Sequence, residues 1–239
     1  MKFYIKFLFH SLIILSIFKC SPEQNYNVNI SNLTCEYLEN PIGLDMSTPR
    51  LSWILNSEGK SIKQSAYQIL AATNQEILQK DSSDLWNTGK ISTDQSIHIK
   101  YEGKKLESGM RVFWKVRIWD EHNQPTAWSD VAFWEMSLLH ESDWKAKWIS
   151  TKDFNHGDSY NLRSPYFRKD IDIHKKIKRA RVYVTGLGYY EFYLNGQKIG
   201  DHVLSPNQTN YDRRKLEKWS EPRIGNMQTS VMYETFDIT

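Results

Sequence analysis

The chain has 239 residues, with 31 Lys+Arg against 28 Asp+Glu. Three of the lysines lie in the first nineteen residues, which hold no acid, so the remainder is neutral and has no electrostatic reason to seek nucleic acid or an anionic membrane surface. A composition 40% apolar and 25% charged excludes disorder as the main state, and two cysteines exclude a disulfide scaffold or a cysteine zinc site.

Residues 1–20 read as a secretory signal. Lys2 and Lys6 make a positive start, and the apolar stretch from Phe7 to Phe18 is too short to span a bilayer as a helix. Cys20 stands where a bacterial lipoprotein keeps its acylated cysteine, with Ser21–Asn25 as a tether. Lys19 departs from that pattern, where a small residue is usual, so lipidation and plain secretion both stay open. The expectation is export to the periplasm or cell surface of a bacterium, with membrane contact only through such an anchor. Cys35, in LTCEYL, reads as a small buried apolar residue.

From Val28 to about Met136 the pattern is strand after strand with turn signals between. NVNISNLTCEYL alternates and stops at Pro41–Gly43, and LSWIL at 51–55 is a second strand. SAYQILAAT at 65–73 places Ala66, Gln68 and Leu70 on one face and Tyr67, Ile69 and Ala71 on the other. Residues 74–84 are polar and turn-like, with a helical turn as the alternative, and LWNTGKI then leads into SIHIKY at 96–101. MRVFWKVRIWD at 110–120 puts Val112, Trp114, Val116 and Ile118 on one face, with Phe113, Lys115, Arg117 and Trp119 on the other. WSDVAFWEM at 128–136 closes the set. Seven or so short strands without a helical period predict an antiparallel β-sandwich over 28–138, with Trp53, Trp114 and Trp134 in its core.

Residues 139–164 read as a linker anchored by Trp144 and Trp148. A second β-rich region covers 165–239. YFRKDIDI is a predicted strand, KRARVYVTG turns Ala180, Val182 and Val184 inward, and Asn195–Gly196 is a hairpin signal joining EFYL to QKI, because both turn positions need positive φ. VMYETFDIT is a strand running into the C-terminus, with no later strand to pair with it, so this second sandwich reads as incomplete.

The run PRLSWIL, SAYQILAAT, LWNTGKI and VFWKVRIWD…WSDVAFWEMSLL resembles the N-terminal fibronectin-III-like domain of bacterial α-L-rhamnosidases of glycoside hydrolase family 78. ESDWKAKWIS is similar to the linker that follows it there. SPYFRKDIDI…KRARVYVTGLGYYEFYLNGQKIGDHVLSPNQTNYDRR…VMYETFDIT resembles the start of the rhamnosidase N-terminal β-sandwich domain. The resemblance implies an all-β chain: a fibronectin-III-like β-sandwich, then an incomplete jelly-roll-like β-sandwich. In that family the catalytic carboxylates lie in an (α/α)6 barrel further along the chain and act on terminal α-L-rhamnosyl bonds with inversion. None of the acids here inherits that role, so the expected catalytic residues are none. The implied function is scaffolding of the barrel in cis, with contacts to rhamnose-containing glycans. The alternatives are a free-standing carbohydrate-binding protein and a surface adhesion protein.

Within the second region, Tyr189, Glu191 and Tyr193 share one strand face in YYEFYLNG, and sugars stack on aromatics and hydrogen-bond to carboxylates. A solvated face, or one that meets another domain, is the plainer reading. The loop SPNQTNYDRR brings Asn207, Asn210, Tyr211, Asp212 and Arg213 into one polar stretch suited to hydroxyl-rich ligands. Its oxygens also suit Ca²⁺, but no stretch has the acid spacing of a dedicated calcium loop, so no cofactor and no metal ligand is assigned. Trp119 and Trp128 flank a loop and are weaker candidates for sugar stacking. Gly186-Leu187-Gly188 is too short for a phosphate fingerprint, and no nucleophile elbow occurs.

Overall fold

The computed structural model describes residues 28–57, 59, 62–151, 164–207 and 231–239. The leader with Cys20, and the loop residues Asn210, Tyr211, Asp212 and Arg213, lie outside the described residues.

The described chain is almost entirely β. In order it holds β1 (Asn29–Cys35), β2 (Arg50–Asn56), β3 (Gln64–Ala72), the short helix α1 (Gln75–Gln79), β4 (Trp86–Asn87), β5 (Ile99–Lys100), β6 (Arg111–Asp120) and β7 (Ala132–Glu135). A single 3-10 turn at Glu141–Asp143 follows, then β8 (Arg181–Val184), β9 (Tyr193–Leu194), β10 (Gln197–Lys198) and β11 (Glu234–Asp237).

The first seven strands form two facing sheets, one ordered β1-β2-β5 and the other β4-β3-β6-β7. All named pairs are antiparallel, with β3 and β6 pairing from Gln64↔Asp120 to Ala72↔Phe113 across one register shift between Gln64 and Ala66. This is the expected sandwich, and its core follows the period-2 pattern. Val112, Trp114, Val116 and Ile118 of β6 are fully buried, facing Leu51 and Trp53 from the opposite sheet, with Ile69 and Ala71 beside them. Each buried Val, Leu or Ile contributes about 1.5–3 kcal/mol relative to exposure. Cys35 is buried and free, and burial pushes its thiol far above the ordinary range, so it is an inert packing residue.

The outer face of the larger sheet is also covered. Asn74 caps α1 by accepting a hydrogen bond from the Ile77 amide at 3.0 Å. The helix then lays Leu78 on Leu70 and Ala72, flanked by Phe113 and Trp128. The buried Lys115 ammonium donates to the Leu78 carbonyl at 2.6 Å and pairs with Asp81.

Several expectations need correction. Trp119 and Trp128 are not open stacking platforms. Lys90 and Arg117 lie over the Trp119 ring at 4.7 and 5.0 Å, and Arg117 and Lys115 lie over Trp128, each at 4.7 Å. Their π-faces are engaged with cations, which closes this sheet face. The strand predicted over YFRKDIDI is absent: residues 164–180 carry no strand, and Tyr166, Ile171 and Ile173 are exposed. Alternation alone does not make a strand, and among the described residues no neighbour pairs with this segment.

In the second region, β8 pairs with β11 from Arg181↔Asp237 to Val184↔Glu234. The final strand thus has its partner earlier in the chain. Arg181 of β8 has a side chain only 7% exposed, and it points at the first sandwich. Ala180, Val182 and Val184 are half-buried.

Candidate functional site

Of the candidate carbohydrate-contact residues, Tyr193 stands on β9, Tyr189 and Glu191 precede it outside any strand, so the three do not share a strand face, and Asn207 lies after β10. Asn195 and Gly196 take φ of 50° and 81°, the positive values that a two-residue turn of this hand requires. The turn sets Tyr193 opposite Lys198. Glu191 then accepts hydrogen bonds from the Tyr193 hydroxyl and the Lys198 ammonium, each at 2.8 Å. Lys198, and then Tyr193, hold the Glu191 carboxyl below its usual range. Tyr189 and Tyr193 are both exposed. The structure therefore brings Glu191 and Tyr193 together on the surface and adds Lys198, which the sequence pattern did not single out. Among the described residues, Tyr189 forms no hydrogen bond with that pair.

Asn207 lies elsewhere, on an open groove lined also by Asp201, His202, Ser205 and Glu234. The groove is built around Glu234 of β11. Its carboxylate takes a hydrogen bond from the Tyr190 hydroxyl at 2.5 Å, meets His202 Nδ1 at 2.7 Å, and accepts from the Ser205 hydroxyl. The Tyr190 amide donates to the Ser205 carbonyl at 3.0 Å, which ties the start of the hairpin segment to the loop. Burial opposes the charge on Glu234, but the hydrogen bonds from Ser205, Tyr190 and His202 outweigh it and hold the carboxyl below its ordinary range. Burial, and then Glu234 itself, push the Tyr190 phenol far above its ordinary range. At neutral pH this cluster is a fixed carboxylate with neutral hydroxyl donors around it.

Sequence reasoning missed Tyr190, His202, Ser205 and Glu234. Tyr190 and Glu234 are 44 residues apart, and no local spacing links them. Period 2 in ETFD could have hinted that Glu234 shares a face with Phe236, but not what it meets. Among the described residues, no group of three or more His, Cys, Asp or Glu side chains is placed to hold a metal ion. No helix among them is long and apolar enough to cross a membrane.

Neither carboxylate is tuned as a proton donor. A glycosidase general acid needs a raised pKa, and both Glu191 and Glu234 are lowered.

Two family models match the chain in order. Residues 30–140 match the Rha78A-like N-terminal immunoglobulin domain, and residues 175–239 match the alpha-L-rhamnosidase N-terminal domain. An alpha-L-rhamnosidase of Formosa agariphila is 38% identical over 233 residues, covering 88% of this chain and 24% of that protein. The chain belongs to the α-L-rhamnosidase family, whose N-terminal domains it carries. A rhamnosidase of Alteromonas sp. is 41% identical over 181 residues, which are 73% of this chain and 20% of the relative. The solved α-L-rhamnosidase from Dictyoglumus thermophilum superposes with a TM-score of 0.72 at 37% identity, over 88% of this chain and 23% of that one. The chain thus spans about a quarter or less of the length of these rhamnosidases.

Proposed function

We propose that this chain acts as the N-terminal, non-catalytic region of an exported α-L-rhamnosidase. A catalytic barrel in cis would cleave terminal α-L-rhamnosyl bonds, and the two β-domains scaffold it and contact rhamnose-containing glycans. The observation that carries the reading is the ordered match of both domains to rhamnosidase N-terminal domains. The exposed Tyr193, with Glu191 and Lys198 beside it, supports the glycan contact, and Tyr189 is a second exposed phenol: a pyranose offers a C–H face for a phenol ring and hydroxyls for the charged groups. Export rests on the leader alone, and lipid anchoring on Cys20.

The test is a titration of the full chain with L-rhamnose, followed by backbone amide NMR. The expected result is chemical-shift change confined to the second domain around Tyr189, Glu191, Tyr193 and Asn207. No change at millimolar sugar would remove the glycan-contact half of the proposal. Labelled palmitate incorporated by the wild-type chain and lost in Cys20→Ala would support the anchor, and no incorporation would leave plain secretion.

A further inference from the structure

We propose that the first sandwich carries a built seat for the second domain's β8–β11 ladder, with Glu135 as its anchor. The first domain is then the platform that holds the second, not a spacer in front of it.

Glu135 ends β7 and is 1% exposed, the one buried carboxylate among the described residues. A carboxylate out of water must be paired. Arg111, from the neighbouring strand of its own sheet, supplies one guanidinium, with Nε at 2.9 Å. The second domain supplies two more. Arg181 binds bidentately, Nε to Oε1 at 2.7 Å and Nη2 to Oε2 at 3.1 Å, and Arg179 approaches Oε2 to 3.6 Å. Such fork-shaped pairing fixes direction as well as distance. Asp237 of β11 pairs with Arg181 at 2.6 Å from the other side, so both strands of the ladder are tied to the same anchor.

Two further contacts on the seat involve β11 and the residue before it. The Tyr233 hydroxyl meets the fully buried Ser137 hydroxyl and donates to the Leu138 carbonyl at 3.2 Å, while Trp144 packs edge-on against its ring at 4.9 Å. At Gly43 (φ +78°), a Cβ would fall 2.6 Å from the Thr235 hydroxyl oxygen, so the missing side chain is what lets β11 come so close. A two-stranded ladder is marginal in water by itself. The seat gives this one a buried ion network, a hydrogen-bonded tyrosine and a fitted backbone approach.

The test is hydrogen exchange on the full chain. Removing one partner of a buried pair leaves the other uncompensated, so Glu135→Ala should speed exchange at Arg181–Val184 and Glu234–Asp237 by about a hundredfold or more, with β3 unchanged. Arg181→Ala, made from the other side, should do the same, and Asp130→Asn, at an exposed acid, should do nothing. If Glu135→Ala unfolds the whole chain, Arg181→Ala decides. Exchange in β8 and β11 that is unchanged in Arg181→Ala, or lost equally in β3 and β6, would overturn the proposal.

Discussion

Three tryptophans fill the core of the first sandwich, and one of them has an indole hydrogen-bond partner among the described residues. Trp53, Trp114 and Trp134 are each no more than 1% exposed. Trp53 Nε1 donates to Gln64 Oε1 at 3.1 Å, whereas the indole N–H groups of Trp114 and Trp134 have no partner among the described residues. Substitution by Phe removes about 40 Å³ at each site, or about 1 kcal/mol at roughly 24 cal/mol per Å³ of cavity. At Trp53 it also strands Gln64 Oε1. The Gln64 amide cannot swing away freely, because its nitrogen is held by the carbonyls of Thr93 at 3.2 Å and Gln95 at 2.8 Å. An unsatisfied buried acceptor adds about 1–3 kcal/mol, while losing an N–H that had no partner offsets the cavity by a similar amount. Trp53→Phe should therefore destabilise by about 2–4 kcal/mol and Trp114→Phe or Trp134→Phe by about 1 kcal/mol or less. The gap of about 2 kcal/mol corresponds to roughly 10 °C in the Tm of a domain of this size. Urea titration and thermal melts followed by far-UV circular dichroism would measure it. Equal losses in the three variants, or a larger loss in Trp114→Phe, would refute the reasoning.

Other outcomes follow from single contacts. Arg50 hydrogen-bonds the Glu36 carboxyl and, against the effect of burial, holds it below its ordinary 4.5. That stabilisation is present above the ordinary value and is lost as pH falls through the lowered one. Glu36→Gln should thus show a shallower loss of stability on acidification than the wild type, and parallel urea-stability curves against pH would contradict it. Asn74→Ala, which removes the α1 cap, should destabilise by about 1 kcal/mol in urea titration. Gly43→Ala meets both a left-handed backbone and the Thr235 side chain, and should lower stability by about 1–3 kcal/mol while loosening β11 in hydrogen exchange.

Much of the first domain was legible because its strands obey period 2 on a sheet that has one face in the core. Val112 through Ile118 could be assigned inward from sequence, and so could Trp53. The same rule failed at YFRKDIDI, since alternation describes a strand that has a partner and says nothing about whether one exists. It also gave no sign that Arg181 of β8 would turn its side chain inward beside the half-buried Val182 and Val184. Arg181 is inward because Glu135, 46 residues earlier, waits for it. The Asn195–Gly196 turn was readable because its chemistry is local. The Glu234 cluster was not, because its members gather from separations of 29 to 44 residues. Trp119 and Trp128 looked like free rings although Arg117 shares a face of β6 with Trp119; what the pattern did not show is that Lys90 reaches Trp119 from a loop and that Lys115 and Arg117 reach across to Trp128.

We propose that this chain has rhamnosidase architecture without performing the bond cleavage itself. The direct measurement is hydrolysis of an aryl α-L-rhamnoside by the purified chain, set against a mock preparation from the same host. The account predicts a rate equal to the mock. Turnover that exceeds it and scales with the chain's concentration would contradict the account and would place a working carboxylate pair among these residues.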